Sequence, residues 1–99
     1  MKLIEINLER IIALCKKHKV NKLFAFGSVL TDKFNDNSDI DLLVDFNSQE
    51  IEDPFVNFFD FKYSLQDILG RDVDLVDNSA VKNSFFRKEL DQTKNLIYG

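Results

Sequence analysis

The chain has 99 residues, with 13 Lys and Arg against 17 Asp and Glu, and a formal net charge of −4. That length admits one domain, residues 1–99, built around one thin core. The acidic balance argues against bulk attraction to DNA, RNA or anionic lipid, and no stretch approaches the ~20 apolar residues of a membrane-spanning helix.

The first residues turn acidic at Glu5, too early for a secretory leader. The single Cys15 can form no internal disulfide, so a reducing cytosol is the expected setting. Leu8, Ile11, Ile12 and Cys15 then recur at helical spacing, which predicts an amphipathic helix from Asn7 to His18 with Asn7 as its N-cap. Leu23 to Phe26 is a short apolar run that stops at Gly27-Ser28, the pattern of a buried strand. Val29 to Phe34 has room for one or two helical turns, and Asn35-Asp36-Asn37-Ser38 is a turn cluster. Asp39 to Phe46 is the clearest strand. Asp53-Pro54 starts a helix, with Asp as cap and Pro in the first turn, and Gly70 closes it. Its core stripe is Phe55, Phe58, Phe61, Leu65, Ile68 and Leu69; a second stripe, Val56, Phe59 and Tyr63, lies beside it. Val73 to Val76 reads as a third strand, Ser84 to Gln92 as a last helix, and Leu96 to Tyr98 as a short terminal extension. A helix between the second and third strands makes a parallel crossover, whereas the short span between the first two also permits an antiparallel pair. The fold class is α/β (α+β): a small mixed sheet with flanking helices.

Twelve of the seventeen acids are Asp, which favours turns, caps and metal ligands over helix interiors. Asp39 and Asp41 flank Ile40 in a strand, so both carboxylates point to one face, roughly 7 Å apart. Like charges there repel and resist desolvation. A divalent cation would offset that, and Mg²⁺ favours carboxylate oxygen while leaving positions open for phosphates. A solvated strand start accounts for the pair equally simply. Asp72-Val73-Asp74 repeats the spacing. Asp74 sits inside the apolar run and would approach the first pair if the two strands are parallel neighbours; Asp72 reads as a surface acid paired with Arg71 or water. Three carboxylates on adjacent strands can make a two-metal site for phosphoryl transfer. Gly27-Ser28 offers backbone N–H groups and a hydroxyl to a phosphate, although an ordinary strand-to-helix turn has the same composition.

Together these segments are more specific than any one of them. Phe26-Gly27-Ser28, Asn37-Ser38-Asp39-Ile40-Asp41-Leu42-Leu43-Val44 and Leu69-Gly70-Arg71-Asp72-Val73-Asp74-Leu75-Val76 resemble the signature of nucleotidyltransferases related to DNA polymerase β. They are similar above all to the small members called minimal nucleotidyltransferases, over about Leu23 to Tyr98. The resemblance implies the nucleotidyltransferase fold and transfer of a nucleoside monophosphate from a Mg²⁺-bound (or Mn²⁺-bound) nucleoside triphosphate, with ATP expected. It places Gly27 and Ser28 on the triphosphate, Asp39 and Asp41 on the metals, and Asp74 as the third carboxylate, near the attacking hydroxyl. Many relatives carry a basic residue and a Gly shortly after Gly-Ser; Thr31 and Asp32 stand there instead, and Lys33 is the nearest cation. Relatives with larger chains hold acceptor or template on extra domains. Minimal members pair with a separate small helical HEPN protein, which implies an antitoxin that adenylylates a toxin. The alternative is a non-catalytic module that binds a partner through surfaces such as Phe59 and Tyr63, its nucleotide site vestigial. His18, Cys15 and the basic stretch Lys16 to Lys22 read as structural or solvated.

Overall fold

The computed structural model describes residues 2–99. The helix that the periodicity predicts is α2 (Leu8–Lys17), with Asn7 at its N-cap position, and a further short helix, α1 (Lys2–Ile6), precedes it. The break falls at Asn7. Its side-chain amide donates back to Leu3 O at 2.9 Å and makes no forward cap, because an Asn side chain can as easily bond the preceding turn. Ile4, Ile11 and Cys15 are buried on one side of this pair. Burial also pushes the Cys15 thiol up to about 12, so the group is an inert core filler.

Four strands follow: β1 (Val20–Phe26), β2 (Ile40–Phe46), β3 (Val73–Asp77) and β4 (Asn95–Tyr98). Their order in the sheet is β3-β2-β1-β4. β1 pairs antiparallel with both β2 and β4, and β2 pairs parallel with β3. β1 starts earlier than its apolar run because Val20 and Lys22 pair with Phe46 and Asp45, across an irregularity at Asn21. The terminal extension proves to be an edge strand, with Leu96 opposite Phe24 and Tyr98 opposite Leu23.

Strand alternation divides the sheet into two faces. Leu23, Ala25, Ile40, Leu42, Val44, Val73 and Leu75 point into the main core, where they meet Ile11, Cys15, Phe61, Leu65 and Leu69. The last three come from α3 (Pro54–Leu69), the crossover between the parallel strands. Asp53 caps α3 by accepting from Val56 N–H at 3.2 Å, and Gly70 ends it in the left-handed region at φ 68. Phe61 is wholly buried, and truncating it to Ala would cost about 3–5 kcal/mol. The predicted core stripe errs at Phe55, which is 73% exposed. Phe55 belongs instead with Phe59 and Tyr63, whose rings follow one another along the outer side of α3.

His18 ends α2 and is 2% exposed. Its Nδ1 faces Leu14 O at 2.8 Å and its Nε2 faces Asp60 Oδ2 of α3 at 2.5 Å, so the ring ties the two helices together. This is the structural role the sequence predicts for it.

The second face of the sheet carries Phe24 and Phe26 from β1, Asp41 and Leu43 from β2, and Asp74 and Val76 from β3. Helix α4 (Ser84–Thr93) covers part of it. Phe86 meets the Phe26 ring edge-on at 6.3 Å, and Lys94, just beyond the helix, lies 4.5 Å over the Phe24 ring. No helix among the described residues is long and apolar enough to cross a membrane.

Candidate active site

The site lies where β1 ends. Gly27 adopts φ 72, a conformation that an L side chain rarely takes, and opens a short 3₁₀ turn, Gly27–Leu30. A Cβ on Gly27 would overlap Asp41 Oδ2 and lie 3.2 Å from Asp41 Cγ. The missing side chain is therefore what lets the strand end lie against the carboxylate. Ser28 follows in the turn. Its carbonyl accepts from Thr31 N–H at 2.9 Å and from Thr31 Oγ1 at 3.0 Å. Thr31 thereby closes the Gly27–Leu30 turn by hydrogen bonding. Lys33 is exposed in the loop beyond it.

Register assembles the acids. Phe26 stands opposite Asp41, and Asp41 opposite Asp74, so the three form one row across three strands on the second face. Asp39 immediately precedes β2 and is exposed. Asp41 is half-buried, and burial first, then the charges of Asp74 and Asp39, raise its carboxyl above the usual range. The predicted trio is thus brought together: Asp74 and Asp39 are the two acids whose fields Asp41 feels. Asp72 contributes nothing to that field, while its backbone carbonyl accepts from Ile40 N–H at 3.0 Å. Among the described residues no Lys or Arg forms an ion pair with Asp39, Asp41 or Asp74. Among the described residues no three His, Cys, Asp or Glu side chains lie close enough together to hold a metal ion as they stand.

Arg71 departs from its predicted role. It forms no ion pair with Asp72. Its Nη1 donates to Asn35 O at 2.8 Å and to Ser38 O at 3.1 Å, and its guanidinium lies 4.5 Å over the Phe34 ring. Within the same loop, Ser38 Oγ accepts from Asn35 N–H at 3.1 Å and Asn35 Oδ1 from Asn37 N–H at 2.8 Å. A residue at the mouth of β3 thereby fastens the loop that delivers Asp39. Sequence reasoning missed this. The only signal was a cation beside an acid, and that signal points to the wrong partner.

A Gly-Ser turn thus stands against a row of carboxylates on a mixed four-stranded sheet, with no ion-paired cation on those acids among the described residues. The family described as "Polymerase beta, Nucleotidyltransferase" matches residues 9–99, and the chain belongs to it and is an enzyme of that class. It is 39% identical to a candidate protein adenylyltransferase of Methanocaldococcus jannaschii over 83 residues, which cover 84% of this chain and 80% of that one. A solved candidate minimal nucleotidyltransferase superposes with a TM-score of 0.78 at 26% identity, over 95% of this chain and 92% of that one. A toxin–antitoxin structure with AMP-PNP superposes with a TM-score of 0.74 at 25% identity, over 94% of this chain and 73% of that one.

Proposed function

We propose that this chain, acting as one domain in the cytosol, moves AMP from Mg²⁺-bound ATP to a hydroxyl of a partner protein, as the antitoxin of a toxin–antitoxin pair. The observation that carries the reading is the row Phe26–Asp41–Asp74 with Gly27 pressed against Asp41. The acids suit Mg²⁺: all three offer hard oxygen donors, burial and the charges of Asp74 and Asp39 raise the carboxyl of Asp41, and among the described residues no ion pair relieves them. Asp39 and Asp41 would hold the metal, which when bound neutralises phosphate charge and polarises the α-phosphorus. The N–H groups of the Gly27-Ser28 turn and the Ser28 hydroxyl would hold the β- and γ-phosphates. In the transfer, the acceptor oxygen forms a bond to the α-phosphorus while the bond from that phosphorus to the bridging oxygen breaks, and pyrophosphate leaves. Asp74, on the outer strand of the row, takes the acceptor's proton.

Three things support a protein acceptor. One is the similarity to a candidate protein adenylyltransferase. Another is the likeness to a toxin–antitoxin structure. The third is the resemblance to minimal nucleotidyltransferases, which implies a small helical HEPN partner. The aromatic stripe of exposed Phe55 and Tyr63, with half-buried Phe59 between them, offers that partner a surface.

The experiment is label transfer from α-labelled ATP to the co-expressed partner, with pyrophosphate release followed in parallel. Asp74→Asn should keep triphosphate binding and lose transfer by about 10²-fold or more. Wild type that binds its partner but transfers nothing from any common nucleoside triphosphate would leave only the partner-binding module. Full transfer by Asp74→Asn would remove that residue from the chemistry.

A further inference from the structure

Between the phosphate turn and α4 the second face of the sheet is not filled. A groove of about 650 Å³ opens there, flanked by Phe26 and Gly27 on one side and by Phe86, Glu89, Thr93 and Asn95 on the other. Two features make it more than a packing gap. It is continuous with the proposed nucleotide site, because Gly27 both lines it and touches Asp41. Its walls are also chemically divided. Phe26 and Phe86 present aromatic surface, whereas Glu89, Thr93 and Asn95 present polar atoms from the end of α4 and the start of β4.

Its place in the sheet selects the occupant. The strand order β3-β2-β1-β4 puts Asp74 on one side of Asp41 and this groove on the other. The acceptor hydroxyl belongs beside Asp74 in the proposed reaction, so the groove lies away from the acceptor. The charged phosphates have the turn itself. The part of the triphosphate still without a place is the nucleoside, a flat ring with a polar edge. An aromatic wall suits its π-face, since base–aromatic stacking tolerates any base. Glu89, one helical turn from Phe86 on the same wall, offers a carboxylate to an exocyclic amine, which can only donate to it.

We propose that this groove holds the nucleoside of the triphosphate, stacked on the Phe86 ring with the near-perpendicular Phe26 ring at its edge, and with Glu89 selecting bases that carry an exocyclic amine. The inference rests on the proposed reading of the Gly27-Ser28 turn as the triphosphate site. Glu89 is exposed, so replacing it spares the fold; Phe86 also meets the Phe26 ring, so binding by its variants is measured well below their melting temperatures.

The test compares two probes by calorimetry with Mg²⁺ present: ATP, and inorganic tripolyphosphate, which has the phosphates but no nucleoside. Phe86→Ala should weaken ATP binding by about tenfold and leave tripolyphosphate unchanged, and Phe86→Tyr should restore ATP binding. Glu89→Gln should narrow the preference for ATP over UTP, again without affecting tripolyphosphate. If Phe86→Ala binds both probes as wild type does, the groove does not hold the nucleoside. If in addition it loses label transfer to the partner, the groove is an acceptor surface and the assignment is overturned. If wild type binds neither probe, the reading of the phosphate turn fails first, and the inference with it.

Discussion

Two glycines share a backbone conformation but not a neighbourhood, and that difference gives a controlled test of the site. Gly27 has φ 72 and Gly70 has φ 68. An L side chain in this region costs about 1–2 kcal/mol, offset by roughly 0.5 kcal/mol because Ala also restricts the unfolded chain. Each Gly→Ala change should thus lose about 1 kcal/mol from the backbone alone, a fall in melting temperature of about 4–8 °C for a domain this size. Nothing lies within 4 Å of a Cβ on Gly70, whereas one on Gly27 would overlap Asp41 Oδ2. Gly27→Ala must therefore turn the Asp41 carboxylate out of the row or move the phosphate turn, and displacement of that order costs about 10²-fold in rate. The expected result is two variants of similar stability by urea denaturation, of which Gly70→Ala transfers label at close to the wild-type rate and Gly27→Ala does not. A Gly27→Ala protein as active as Gly70→Ala would show that the contact with Asp41 has no catalytic meaning.

Further outcomes follow from the same geometry. Asp41→Asn should stabilise the metal-free protein, by less than about 1 kcal/mol because solvent screens a half-exposed group. The raised carboxyl of Asp41 opposes folding when ionised, so this advantage should be present at neutral pH and shrink as pH falls through the upper carboxylate range; urea titrations of both proteins across pH check it. The same variant should bind Mg²⁺-ATP more weakly. Arg71→Met should lose about 1–2 kcal/mol and raise the Mg²⁺ concentration needed for half-maximal transfer, with Arg71→Lys restoring only part, because one ammonium cannot both bridge two carbonyls and cover Phe34. The hydrogen bond from His18 holds the Asp60 carboxyl below the usual range, so its stabilisation should be complete above that range and fade as pH falls through the lowered value; acid unfolding of Asp60→Asn should lack this component.

The parts of this molecule that were legible in the sequence are those whose signals are local. The apolar run Leu42-Leu43-Val44 marked β2, the Asp53-Pro54 start and Gly70 stop marked α3, and Asp-x-Asp spacing put two carboxylates on one face. What the sequence concealed depends on pairing between distant segments. β4 has only four residues and no clean alternation, and it becomes a strand because β1 presents a free edge to it. Phe55 fits the helical period of the core, but α3 begins too far from the sheet for its first turn to be covered. Arg71 looks like the partner of the acid beside it, yet it reaches across to the loop before β2. The same dependence gives the site its logic. Asp41 is placed by β2 and Asp39 by the loop that Arg71 fastens just before it, but Asp74 joins them only through the parallel register, and Gly27 only through the antiparallel one. The site is therefore assembled by the sheet, and a substitution that shifts either register by one residue would turn an acid to the opposite face and scatter the row before it unfolded the chain.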